Sequence, residues 1–448
     1  MYDINAKSWT TGASAPEQFN HFQATEYEGL IWVIGAFYQN NYPSEPPEDN
    51  IHIYDPAHDE WIVGPTIPAS RRRGSTGLVV YDDKFYVVGG NTIGHNGGYV
   101  DWFDEYDPIN NTWTPMTSAP RARDHFNAVV IGSKLYAAGG RLTGGTGGTF
   151  APLVEEVDVY NFNTNSWSTL PSTLNIPTPR AGVAAVNFQD QVVVIGGEGN
   201  GNAYPNAEAY DPSTSTWTTL DPMNHQRHGT QAIVSGDGIY TTGGSFKQGG
   251  GSQTNMEVYG IENPQGSASV AGVMSAPNSV NITQNGSGNI VISHTGGNVG
   301  IFIRSLQITN VTGGSFTITD GNPGAGGFLL KTGTSHIIEV SLGNNTAGQS
   351  ANLVINYGKN STKTVAINGV ASSSASRQIT GNAIDMNRQI QVYPNPTDGQ
   401  PHLQVALSLV ESDQVSFRLA DLAGKTVLEV ENRIVELKSV SVPVGDRQ

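Results

Sequence analysis

The sequence predicts an all-β chain in three parts: a run of repeated four-stranded units, a β-sandwich, and a second, smaller sandwich. Three observations predict it. Aromatic and glycine landmarks recur at a period of about 50 residues through the first 260. Short alternating apolar segments, parted by turn residues, follow them. Glycine makes up 54 of the 448 residues and charged residues only 14%, against usual values of ~7% and ~25%. Hydrophobic residues, at 37%, suffice for real cores and exclude wholesale disorder.

The repeat comes first. Tryptophans stand at 9, 61, 113, 167 and 217, each seven residues after a tyrosine: Tyr2, Tyr54, Tyr106, Tyr160 and Tyr210. Tyr259 keeps the period without a tryptophan after it. Four apolar runs close on a glycine pair, KFYVVGG (84–90), KLYAAGG (134–140), QVVVIGG (191–197) and GIYTTGG (238–244), and LIWVIGA (30–36) is a degenerate fifth. Sixteen residues before each first glycine lie Arg73, Arg123, Arg180 and Arg227, with Phe19 in the degenerate copy. Fixed spacings suit hairpins of locked register, such as GLVVYDDKFYVVGG with its Asp-Asp turn. The variable spacings, tryptophan to arginine and glycine pair to tyrosine, suit loops. Each unit therefore reads as strands a (after the arginine), b (ending in the glycine pair), c (ending in tyrosine) and d (carrying tryptophan). The recurring Tyr and Trp side chains are expected in the core between units.

These landmarks resemble the kelch family, whose repeat carries a double glycine, a Tyr-Asp pair and a tryptophan at these positions. YDPAHDEW (54–61), YDPINNTW (106–113) and YDPSTSTW (210–217) match closely, and YNFNTNSW (160–167) more weakly. The resemblance covers residues 1–262 and implies a β-propeller, one four-stranded blade per repeat. Strand arithmetic leaves the count open at five to six blades, with a shortened six-bladed ring favoured by the start at Tyr2.

Residues 263–279 are small and polar and read as a linker. From 280 to 371, SVNIT, NIVISH, IFIRSLQIT, SFTIT, HIIEVSL, ANLVINY and TKTVAING alternate as sandwich strands do. Their order looks like a bacterial immunoglobulin-like spacer. A second linker spans 372–389. Residues 390–448 open on VYPNPTDG (392–399) and continue into VSFRLADLAGKTVLE (415–429). This pairing resembles the C-terminal sorting domain of the bacterial type IX secretion system, with Tyr393, Pro394, Asn395, Pro396, Gly399, Asp421, Gly424 and Lys425 as its signature. Prolines that fix φ and a glycine that permits a tight turn give the opening its physical sense. The resemblance implies export from a Bacteroidota-type, Gram-negative cell to its surface or beyond, with the type IX machinery as a partner. The chain shows no signal peptide and lacks the family's last strand, so both ends are expected to be clipped.

Composition excludes several chemistries. There is no cysteine, hence no disulfide, thiolate metal site or cysteine nucleophile. The net charge is −16, which repels phosphate backbones and makes nucleic acid an unexpected partner. No apolar run is long enough to span a membrane. Histidines are scattered and only His225 and His228 are close in sequence, so neither a metal nor another cofactor is expected. No nucleophile elbow or phosphate loop is present.

Function is expected on the propeller face from which the d–a and b–c loops emerge, where loop length varies. The b–c loops carry Tyr99, Phe150, Tyr204 and Phe246, which either stack on sugar rings or pin long loops. Arg73, Arg123, Arg180 and Arg227 begin innermost strands near that face; they either hold carboxylates or bond loop carbonyls between blades. His21 and His125 lie two positions further on, and Asn91, Arg141 and Glu198 lie just past glycine pairs. Arg141 and Glu198 occupy equivalent places on neighbouring blades, so they pair across the channel mouth or on its rim. These features predict a secreted or surface binding protein that recognises a glycan or a protein ligand. The alternative is a sugar-acid mutarotase or epimerase, with Glu198, Arg141 and His125 as its working groups.

Overall fold

The computed structural model describes residues 1–283, 285–343 and 348–370, and beyond them the backbone of five strands: Gln391–Asn395, His402–Ala406, Gln414–Ala420, Thr426–Ile434 and Ser439–Pro443. Contacts divide the chain into two units, Met1–Ser373 and Ser374–Gln448. No α-helix occurs among the described residues, and no helix there is long and apolar enough to cross a membrane.

The first unit contains the propeller. Blade 1 consists of Ala24–Tyr27, Leu30–Val33, Asn50–Asp55 and Glu60–Thr66. Blade 2 consists of Gly77–Tyr81, Lys84–Val88, Phe103–Asp107 and Thr112–Pro115. Blade 3 follows with Ala128–Ile131, Lys134–Ala137, Asp158–Asn161 and Ser166–Thr169, and blade 4 with Ala184–Phe188, Gln191–Ile195, Ala207–Asp211 and Thr216–Thr219. Blade 5 has three strands, Ala232–Ser235, Gly238–Thr242 and Met256–Gly260. All are antiparallel meanders, a-b-c-d in blades 1 to 4 and a-b-c in blade 5, with the a strands of successive blades facing one another around the axis. The hairpin Tyr2–Asp3 with Ser8–Trp9 is a sheet of its own. Its Lys7 reaches Glu262 just past blade 5, and Met1 meets the Tyr54 hydroxyl of blade 1. Between blades 5 and 1 the Gln231 amide accepts from Ala24 N–H and donates to Ala24 C=O.

The fixed spacings have mechanical causes. Tyr and Trp seven apart are directly opposed across each c–d hairpin, as in Tyr54↔Trp61, Tyr106↔Trp113, Tyr160↔Trp167 and Tyr210↔Trp217. Their rings stand 4.9–5.4 Å apart. The tyrosines are buried in the blades, each large apolar side chain contributing about 1.5–3 kcal/mol. The tryptophans sit half-buried at the blade edge, and Trp9 is 58% exposed, outside the core expected for it. Asp82 and Asp83 both take positive φ, the two-residue turn that matches strand twist.

The spacing of sixteen is a hydrogen bond. Arg73, Arg123, Arg180 and Arg227 each donate to the carbonyl of the first glycine of their own pair, at 2.7, 2.9, 2.5 and 2.9 Å. The second glycine of a pair then donates to the carbonyl of the next blade's arginine, as in Gly90 to Arg123, Gly140 to Arg180 and Gly197 to Arg227. Glycine is needed here: a Cβ on Gly89 would stand 2.4 Å from the Arg123 carbonyl oxygen, and its φ is +64°.

Two sheets pack face to face after the propeller. One has the order Val273–Ser275, Ser287–Gly296, Ser335–Leu342, Phe316–Asp320. The other runs Ser279–Thr283, Ser361–Val370, Ser350–Tyr357, Ile301–Thr312, Phe328–Leu330. Strand Val273–Ser275 lies inside the stretch read as a linker. Ile290, Ile292, Ile338, Leu353, Ile355 and Val365 fill the core between the sheets. The sandwich is not strung behind the propeller. Val299, Phe302 and Leu329 enter the apolar cluster of blades 1 and 2, beside Trp32 and Phe85. Lys331 pairs with Asp83 at 2.6 Å, Glu28 accepts from Thr332, and Leu329 N–H donates to the Pro108 carbonyl.

In the second unit, Gln391–Asn395, His402–Ala406 and Ser439–Pro443 form one sheet, and Gln414–Ala420 with Thr426–Ile434 another. Of the sorting signature, Tyr393, Pro394 and Asn395 fall on the first strand. Pro396, Gly399, Asp421, Gly424 and Lys425 lie outside the described residues, as does the 372–389 linker.

Candidate functional site

Just past each arginine the chain makes the same turn. The next residue bridges to the residue after the glycine pair: Gly74↔Asn91, Asp124↔Arg141, Ala181↔Glu198 and His228↔Ser245. The one after that takes positive φ in every blade: His21 +51°, Ser75 +56°, His125 +55°, Gly182 +60°, Gly229 +61°. These five are strung together around the axis. Ser75 N–H donates to the His21 carbonyl, His125 to Ser75, Gly182 to His125 and Gly229 to Gly182. Main-chain bonding thus fixes a collar at the channel mouth.

Above the collar lies a cavity of about 620 Å³. Its wall is drawn from the d–a entries and b–c loops of all five blades, the face expected from loop variation. Asn20, Asn40, Asn127, Gln231, Thr76, Thr230 and Ser245 supply amides and hydroxyls, and Phe22, Tyr42, Phe126 and Phe150 supply apolar surface. Of the residues nominated from sequence, His21, His125, Phe150 and Glu198 line it. Tyr99 and Phe246 are exposed elsewhere on the loops, and Tyr204 lies away from the wall, near Gly199. Asn91 is fully buried behind it.

The four arginines do not reach the cavity. Each is 2% exposed or less and is committed to a carboxylate of its own blade: Arg73 to Asp104, Arg123 to Asp158, Arg180 to Glu208 and Arg227 to Glu257. They act as inter-strand struts and do not hold a ligand carboxylate. Burial pushes the guanidiniums of Arg73, Arg123 and Arg180 down, against the pull of those carboxylates. In blade 1 the pair is replaced by Phe19 stacked on His52, 4.9 Å between centroids. The carboxylates were legible in the sequence: each stands two residues before the repeat tyrosine.

Arg141 and Glu198 do pair, at 2.5 Å, but the bridge is buried rather than on the rim. Glu198 also accepts from Gly249 N–H at 2.8 Å and meets His228 Nε2 at 3.2 Å. Arg141 donates to Thr143, which donates to Asp124, which bonds His125 Nδ1 at 2.5 Å. The Arg141 guanidinium also lies over the Phe150 ring, 4.9 Å from its centroid. One polar chain therefore runs behind the wall from His228 to His125. Burial pushes the Asp124 carboxyl up, although Arg141 pulls it down. Burial pushes His21, His125 and His228 below the ordinary histidine value, the first two strongly, so these rings are neutral at pH 7.

Histidines 74 and 30 residues apart in sequence also converge. His21, His95 and His125 each offer a ring nitrogen within 4.8 Å of the other two. Ligand spacing along the chain does not reveal this trio, because its members come from three blades. His95, in the b–c loop of blade 2, carried no signal of its own.

The residues 22–244 match a family model described as the KLHDC2/KLHL20/DRC7 Kelch-repeats domain. "Kelch-like protein terF" of Aspergillus terreus is 30% identical over 256 residues, 55% of this chain and 54% of that protein. "Kelch-like protein 23" of Homo sapiens is 25% identical over 251 residues, 56% of this chain and 41% of that protein. The chain thus spans about half the length of the curated relatives it matches. A solved structure titled "Structure of YjhT" aligns with a TM-score of 0.49 at 16% identity, covering 57% of this chain and 85% of that one. The propeller is a kelch-repeat domain.

Proposed function

We propose that the propeller is a binding module whose cavity takes a neutral, hydroxyl-rich ligand, a glycan. The observation that carries this is the wall itself: amides, hydroxyls, imidazoles and aromatic rings line the cavity, and the Glu198 carboxylate among them is neutralised by the buried Arg141. Amides bond sugar hydroxyls, and aromatic faces cover the C–H faces of the ring. The reading also fits a modular exported protein, in which the sandwich carries the propeller and the motifs at 392–399 and 415–429 direct type IX secretion.

A glycan array probed with the purified chain tests it. A specific hit is expected, weakened at least tenfold by Phe150→Ala and by Tyr42→Ala. Absence of any hit from a cooperatively folded chain would turn the reading to a protein ligand, the common use of kelch domains. The mutarotase alternative keeps Glu198 and His125 on the wall, but Arg141, which would hold the sugar carboxylate, is buried and bonded to Glu198. Turnover of a sugar acid that is lost in Glu198→Gln would revive it.

A further inference from the structure

We propose that His21, His95 and His125 form a three-histidine site for a divalent transition-metal ion of the zinc class, with a fourth position open to the cavity. The inference stands on the geometry of these rings and does not rest on the glycan reading.

The ring centroids lie 4.9 Å apart for His21 and His95, 4.9 Å for His21 and His125, and 5.6 Å for His95 and His125. On each ring Nδ1 is already taken by an oxygen. Asn20 Oδ1 holds His21, the Glu45 carboxylate holds His95 at 2.9 and 3.0 Å, and Asp124 holds His125 at 2.5 Å. Glu45 and Asp124 are buried to 1% and 0% exposure. Nε2 therefore remains as the ligand atom on all three. On His125, itself 8% exposed, Nε2 is buried without any hydrogen-bond partner. An orphaned buried nitrogen costs free energy that a ligand would return. Histidines that bind metals characteristically give their other ring N–H to a carboxylate or carbonyl, which fixes the tautomer and strengthens the donor. Here that outer layer is already built.

The backbone adds a second reason. The collar position takes positive φ, which glycine supplies freely and which Gly182 and Gly229 occupy on blades 4 and 5. Ser75 holds it on blade 2 and histidine on blades 1 and 3, so the collar itself presents two of the three rings to the cavity. Three imidazoles without thiolate suit zinc, copper, iron or nickel. Three protein ligands with one vacant position is the pattern of metals that bind an exogenous oxygen. Nitrogens on a tetrahedral zinc stand about 3.4 Å apart, given Zn–N of 2.0–2.1 Å, so the rings need to draw in by an ångström or so. His95, on the short turn Gly94–Asn96 of a loop, is the member placed to close.

The full chain, stripped with a chelator and dialysed, is titrated with Co²⁺ alone and then Zn²⁺ alone. One Co²⁺ per chain with visible absorption of four-coordinate intensity is expected, displaced by Zn²⁺. His95→Ala should abolish the absorption, and Glu45→Gln should weaken Co²⁺ binding by about 10–100-fold. Zn²⁺ should raise the melting temperature of the parent chain but not of His95→Ala, whose metal-free melt serves as the folding control. Absence of the Co²⁺ bands in the parent, or bands or a Zn²⁺ shift in His95→Ala equal to the parent's, would overturn the site.

Discussion

Arg123 shows how a residue that looks functional in sequence becomes structural in three dimensions. An arginine repeated on one face of a ring invites an anion, yet its guanidinium is spent on Asp158 at 2.5 Å, on the Gly139 carbonyl and on the Glu156 carbonyl. Removing it strands a buried carboxylate, partly relieved by Arg121, which also reaches Asp158. Arg123→Met should therefore destabilise the propeller by about 3–5 kcal/mol in urea melts. Arg123→Met with Asp158→Leu together should recover most of that loss. An additive double variant would mean that the pair is not the unit. This pairing was half legible. The arginine and the acid both recur in register with the glycines and tyrosines, but linear spacing alone cannot say that the two side chains share one buried space.

At the scale of the element, the spacings translated directly into geometry. Sixteen is the span from an arginine through strands a and b to the glycine carbonyl it caps, and seven is the register of a c–d hairpin. These were readable because both ends belong to one local meander. The glycine pairs then link one blade to the next, which gives a graded expectation. Gly89→Ala places a Cβ 2.4 Å from the Arg123 carbonyl at φ +64°, whereas Gly132→Ala, at φ +55°, meets nothing within 4 Å. The second should cost about 1–2 kcal/mol for the left-handed backbone alone, and the first clearly more, in parallel chemical denaturation. Equal losses would mean that the close approach between blades is slack. The histidine trio shows the limit of such reading: its members share no meander, and only ring closure brings them together.

The whole molecule differs most from its sequence-level reading in the place of the sandwich. A spacer behind a polar stretch was expected, but Phe302, 1% exposed, packs against Trp32 with 6.0 Å between ring centroids. Partners some 270 residues apart, joined by ordinary apolar contact, leave no pattern in a single sequence. All seven tryptophans precede residue 263, so their fluorescence follows the propeller, with Trp32 also sensing its contact with the sandwich. Phe302→Ala, a change in the sandwich, should lower the midpoint of the tryptophan-detected melt, consistent with a cost of about 3–5 kcal/mol for a fully buried phenylalanine. An unchanged midpoint would mean that the two folds unfold independently.

The collar of backbone bonds at the channel mouth has an electrical consequence. In a helix, peptide dipoles add along the axis and leave partial charges at its ends. Here the bonds from Gly229 back to His21 run head to tail around the axis, so their dipoles largely cancel. The scaffold is close to silent at the place where a guest would sit. Its chemistry is written by the side chains alone, and replacing one of them changes what the site attracts without disturbing the frame that holds it.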